Sequence, residues 1–200
     1  DGAAVQDGFQ LYQHNFILSD QGDWAIVQQG MNTQTKTARR YHWCSQNLNS
    51  FIEEPHSGIT GENKGLILNL TDSSAASTRN SILALSKEKP EKIIAEIKSV
   101  QELGLPQKIQ QELFEDKTEI QIQNERSITL PSHHNVTEKD VDLKRLGAVL
   151  ATAYESPAKN FESLLLTPGL GPRTLQSLTL ISEVINGTPS RFKDPARFSF

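Results

Sequence analysis

The stretch LLLTPGLGPRTLQSLTLISEVI, residues 164–185, constrains the fold of this chain more than any other. Thr167-Pro168-Gly169-Leu170-Gly171-Pro172-Arg173-Thr174 falls between two runs with apolar residues at helical spacing, so the chain must turn there and start again as a helix. Two glycines bracket one leucine, which allows positive φ and close backbone approach on either side of an apolar anchor. Pro172 has the preset φ and the missing N–H that suit the first position of a helix. The free N–H groups of that first turn carry the positive end of the helix dipole, a geometry that accepts a phosphate oxygen, and Arg173 adds a side-chain donor. The plainer alternative is an αα-hairpin whose glycines only end one helix and redirect the chain.

The remainder reads as a mixed α+β protein. Residues 9–31 hold two runs of aromatic and β-branched residues around Ser19-Asp20-Gln21-Gly22-Asp23, which predicts a hairpin with strands near 9–18 and 24–29. Residues 40–52 suit a strand or irregular chain. Leu66–Leu70 predicts a short strand, and Asp72 a cap for a helix running to about Leu85. Pro90 opens a helix with Ile93, Ile94, Ile97, Val100 and Leu103 on one face, ended by Gly104. Short helical and extended pieces are expected near 106–114 and 120–122. Thr137 and Asp140 form a start resembling a capping box, ahead of Val141, Leu146, Val149, Leu150 and Ala153 on one face. Ser156-Pro157 reads as the start of the helix that precedes the turn. The expected organisation is a mixed part with the β-hairpin (1–86), a charged helical connector (87–131) and a helical part (132–200).

Charge and composition then limit the functions open to such a chain. Its 200 residues carry a formal net charge of −4, which argues against coating nucleic acid through bulk positive charge but leaves room for a local basic site. Between Asp23 and Glu53 there is no acidic residue, while Lys36, Arg39, Arg40 and both tryptophans, Trp24 and Trp43, fall in that window. From Leu165 onward Arg173, Arg191, Lys193 and Arg197 stand against Glu183 and Asp194. The single cysteine, Cys44, excludes an internal disulfide framework and a Cys-based zinc cluster, and a cytoplasmic location is the default. No run approaches a membrane span. The chain begins at Asp1 without an initiator methionine or leader, which reads as a piece of something longer.

Three groups of residues are candidates for chemistry. Gly169, Leu170, Gly171, Arg173 and Thr174 make up the expected phosphate-binding hairpin. Arg39, Arg40 and Trp43 form a second zone, in which the arginines pair with phosphates and Tyr41 or Trp43 stacks on an unpaired base; its plainer reading is a sheet edge with a solvated charged face and buried tryptophans. Asp7, Asp23 and Gln29 are the expected catalytic set of a metal-dependent nuclease, for which Mg²⁺ or Mn²⁺ would be the cofactor; capping of turns by aspartate is the alternative. Glu53-Glu54-Pro55-His56 and His133-His134 are further metal-ligand candidates.

Residues 164–178 resemble the helix-hairpin-helix module, which binds the nucleic-acid backbone without reading sequence. Over nearly its whole length the chain resembles the prokaryotic domain-of-unknown-function 763 family, on the strings AAVQDGFQLYQHNFI, GDWAIVQQGMN, ARRYHW, EEPHSGI, LPSHHNV, TPGLGPRTLQSLTLISEVI and PSRFKDPARFSF. That resemblance implies further segments before Asp1 and after Phe200, and it supplies no reaction. The expectation is therefore a cytoplasmic DNA-binding protein of DNA repair or processing, with a nuclease activity as its enzymatic form. Two rivals stand beside it: a DNA glycosylase or lyase using Asp194, and a non-enzymatic module whose partner is a protein.

Overall fold

A computed structural model describes residues 3–46, 48–102, 143–155 and 157–197. The described chain is α+β and divides into two units. One is built from residues up to 75 together with 191–197, the other from 76–102 and 143–190.

The first unit is made of antiparallel sheet. Strands β2 (Gln10–Leu18), β3 (Trp24–Asn32), β4 (Thr37–Cys44) and β5 (Gly58–Thr60) form a four-stranded sheet in the order β2-β3-β4-β5. The expected hairpin is β2–β3. Its turn is closed by Ser19, whose N–H donates to the Asp23 carbonyl at 2.8 Å and whose carbonyl accepts from Gly22, itself at φ 91°. The next turn is held by Asn32, whose Oδ1 accepts the N–H groups of Gln34 and Thr35 at 3.0 and 3.1 Å. Of residues 40–52, open between strand and irregular chain, residues 40–44 are strand and residues 45–46 and 48–52 are irregular.

A second sheet has the order β1-β6-β7, with β1 (Val5–Gln6) and β7 (Phe192–Lys193) on either side of β6 (Leu66–Asn69). The apolar run of β6 is what a strand buried between two neighbours requires: Ile67 and Leu68 are almost fully enclosed. The pairing Ile67↔Phe192 brings the end of the chain back to the first unit, so residues 191–197 do not continue the helical part. Asp72 caps the following turn by accepting the Ser74 N–H at 2.8 Å.

The second unit is helical, with α1 (Ala76–Leu85), α2 (Pro90–Glu102), α3 (Leu143–Glu155), α4 (Phe161–Leu165) and α5 (Pro172–Asn186). Leu146, Val149, Leu150 and Ala153 are buried, as their spacing predicts. Helix α5 is buried over nine consecutive residues, Thr174–Ser182, and packs along α1. Two of its buried polar residues bond one turn back, Ser177 Oγ donating to the Arg173 carbonyl and Thr179 Oγ1 to the Leu175 carbonyl. The helix before the turn starts later than Ser156-Pro157 suggests. Residues 157–160 are not helical, and Asn160 is the N-cap, with Asn160 and Ser163 forming a reciprocal capping box. The elements expected between 103 and 142 lie outside the described residues.

Close packing in the first sheet centres on Gly30. A Cβ there would sit 2.8 Å from the Phe9 Cβ and 3.3 Å from the Tyr41 ring, whereas one at Gly58 would meet nothing within 4 Å. Gly30→Ala is expected to cost about 1–3 kcal/mol by overpacking, and Gly58→Ala less than about 0.5 kcal/mol, in urea titrations of each variant.

Candidate functional site

Strand β4 alternates, so Arg39, Tyr41 and Trp43 share one face and Arg40 and His42 the other. Arg39 is the most buried of these, with 1% of its surface exposed. Its Nη1 donates to Asp7 Oδ2 at 2.9 Å and Asp194 Oδ1 at 3.1 Å; its Nη2 donates to Asp194 Oδ2 at 2.8 Å and to the Glu62 carbonyl. The guanidinium thus grips Asp194 with two parallel bonds and Asp7 with a third. Both carboxylates accept further donors. Asp7 accepts from the Tyr41 hydroxyl at 2.6 Å and the Phe9 N–H, and Asp194 accepts from the Lys64 and Ala196 N–H groups. The Phe9 ring is in cation–π range of two cations, the Arg39 guanidinium 4.8 Å and Lys64 Nζ 4.7 Å from its centroid.

The electrostatics follow from burial and these partners. Burial works to lower the Arg39 pKa, but Asp7 and Asp194 outweigh it and leave the guanidinium more firmly charged than usual. Tyr41 is pushed far up by burial and by Asp7, so its hydroxyl stays a donor. Lys64 is lowered by burial and by Arg39, partly offset by Asp7 and Asp194. His56 packs on the Trp43 ring at 4.7 Å and on Tyr41 at 6.2 Å, and burial takes its pKa down to about 4.

This centre corrects several expectations. Arg39 points into the protein and is committed to two carboxylates, so it is not a surface phosphate contact. Asp7 and Asp194 are its counterions, which removes Asp7 from a metal site and leaves Asp194 without the unengaged carboxylate that a glycosylase or lyase role needs. Asp7, Asp23 and Gln29 do not converge. Gln29 sits opposite Arg40, hence on the sheet face away from Arg39 and Asp7. Asp23 precedes β3 at its far end, roughly 20 Å along the strand from Gly30, the partner of Arg39, and it accepts a hydrogen bond from Ser45. Among the described residues, no three His, Cys, Asp or Glu side chains are grouped to hold a metal ion. His133-His134 lies outside the described residues. Arg40 is exposed, while Trp43 is half-buried against Tyr41 and His56, so of the second zone only Arg40 is fully presented to solvent.

The hairpin expected at residues 167–171 is present between α4 and α5. The Leu170 N–H donates to the Thr167 carbonyl at 3.1 Å, Gly169 takes φ 83°, and Leu170 is 8% exposed, tucked in as the anchor. Gly171 is the N-cap of α5 at φ −103°, ψ −177°, and no side chain caps the helix there. A Cβ on Gly171 would meet nothing within 4 Å, so the backbone at this helix start is open. Pro172 occupies the first turn, Arg173 is exposed on it, and Thr174 is buried beneath.

A family model described as "Protein of unknown function (DUF763)" matches residues 1–200. The chain belongs to the DUF763 family. No curated protein and no solved structure matches it. No described helix of this DUF763 chain is long and apolar enough to cross a membrane.

That Asp194 joins Asp7 as a counterion of Arg39 does not follow from any local pattern, although the alternation of β4 already requires Arg39 and Arg40 to point opposite ways. Both tryptophans lie in the first unit, so intrinsic fluorescence reports its unfolding. Asp194→Ala is expected to cost about 3–5 kcal/mol in a denaturant titration read this way, because it strips a buried charge of its bidentate partner. A change below 1 kcal/mol, on the order of a surface pair, would refute that role. The depressed His56 pKa carries a second expectation. Its folded value of about 4 lies below the ordinary 6.5, so the unfolded chain takes up the proton first. The stability this group contributes is complete above pH 6.5 and declines as pH falls toward 4, by up to about 1.4 kcal/mol per pH unit; His56→Phe removes that part of the slope and leaves the contribution of His42, whose pKa burial and Arg40 also lower.

Proposed function

We propose that the chain binds the backbone of nucleic acid, DNA in the first place, through the hairpin Thr167–Gly171 and the first turn of α5, with Arg173 pairing to a phosphate. The supporting observation is the start of α5: an N-cap glycine without a side-chain cap, its α-carbon open to solvent, held by a left-handed glycine and a buried leucine. Helix N–H groups aimed outward at a site with no Cβ let a phosphate approach the backbone closely. Such contacts carry no sequence information, which suits a protein of DNA repair or processing acting on DNA of any sequence. Arg40 on the first unit is a secondary contact, and the cytoplasm is the compartment this role implies. Because Asp7, Asp23 and Gln29 do not meet, they contribute no nuclease site to the proposal.

The test uses the neutral shape of Gly171. Its φ and ψ are open to any residue and a methyl there meets nothing, so Gly171→Ala leaves the fold intact apart from a cap effect of about 1 kcal/mol or less. The methyl nonetheless stands where the phosphate would approach. In a salt-dependent titration with duplex DNA, Gly171→Ala combined with Arg173→Ala should lower affinity and reduce the salt slope by about 1. If the double variant kept both affinity and slope, the hairpin would not be the binding element. Gly169→Ala differs in kind: at φ 83° it strains the backbone and should cost about 1–3 kcal/mol of stability with or without DNA.

A further inference from the structure

Strand β2 is the open edge of the four-stranded sheet, hydrogen-bonded to β3 and, among the described residues, to no strand on its other side. The opposite edge is treated differently. There β5 is three residues long, and the returning C-terminal segment covers it, Arg197 bridging to Thr60 and donating its N–H to the Ile59 carbonyl. By contrast, β2 runs nine residues with every side chain exposed. Leu11, Tyr12, Phe16, Ile17 and Leu18 are 55%, 52%, 57%, 58% and 62% exposed, on both faces of the sheet.

Open edges are normally made short, interrupted by proline, or marked with charged side chains, lysine above all, so that they reject another strand. From Phe9 to Leu18 there is no Lys, Arg, Asp, Glu or Pro. A bulge between Leu11 and Gln13 is the one interruption, and residues 13–18 beyond it pair with β3 in regular register.

We propose that β2 pairs antiparallel with β2 of a second copy of this chain, joining two four-stranded sheets into one. A two-fold interface must be complementary to itself, and an uncharged strand meets that condition because it does not repel its own copy. The same lack of charge offers nothing to an acidic or basic partner. Antiparallel pairing within residues 13–18 brings Phe16 and Leu18 of both copies together on one face and Ile17 of both on the other. The five apolar side chains together expose on the order of 500 Å² over the two faces of the strand, a substantial part of the ~800 Å² per partner in a standard interface. Met31, beside Gln10, and Phe51, stacked on Trp24 at 6.3 Å, extend the apolar surface at either end of the strand.

The experiment is sedimentation velocity of the whole chain from low to high micromolar concentration, paired with amide hydrogen exchange at the two extremes. A reversible dimer is expected, with β2 amides protected only at high concentration. Phe16→Lys and Ile17→Lys sit on opposite faces of the sheet, and each should weaken association about tenfold or more while leaving the circular dichroism spectrum unchanged. Lys36→Ala, in the turn after β3, should leave association as it was. A chain that stays monomeric throughout, a dimer indifferent to both lysine variants, or β2 exchange independent of concentration would overturn the proposal. So would protection of β2 in a monomer bound to an extended peptide, since the edge would then serve a different partner.

Discussion

A guanidinium with almost no contact with water is tolerable only if its charge is met at close range, and Arg39 is met by Asp7 and Asp194. These two carboxylates come from the beginning and the end of the chain, 32 and 155 residues from Arg39. Desolvating three charges has a large cost, offset in part by bidentate geometry and by backbone N–H groups that donate to both carboxylates. Once Arg39 is inward, much else follows. The tail returns so that β7 pairs with β6, Tyr41 donates to Asp7, and Phe9 packs against Gly30 within cation–π range of Arg39 and Lys64.

The helical unit depends on backbone geometry instead of charge. Its hairpin works through what glycine permits, a left-handed turn at Gly169 and an uncovered helix start at Gly171, with Leu170 as the apolar pin. The two units therefore offer different surfaces: one an open helix start suited to an anion, the other an uncharged sheet edge suited to a second strand.

Local signals in the sequence were read correctly where they act locally. The β2–β3 hairpin follows from alternation around a glycine turn, β6 from a short apolar run, α1 from the Asp72 cap, and the Thr167–Gly171 turn from its glycines and proline. Ser156-Pro157 carries a strong helix signal and predicts too early a start for α4, whereas the Asn160 and Ser163 capping box, four residues on, is the one used. Composition marked residues 24–52 as a basic zone open to nucleic acid. Charge counted along a chain does not say which face of a strand a side chain takes, and alternation sends Arg39 inward and Arg40 outward.

By itself the sequence determined the α+β character, most element positions and the shape of the glycine hairpin, because turns, caps and apolar periodicity depend on neighbours a few residues away. Tertiary structure alone decided the fate of the charged residues. Asp7, Arg39 and Asp194 look like three independent functional candidates along the chain and become one buried ion-pair cluster when it folds. Whether a carboxylate serves chemistry or balances a buried cation is settled by which distant segment lies within about 3 Å of it, and no local pattern carries that distance.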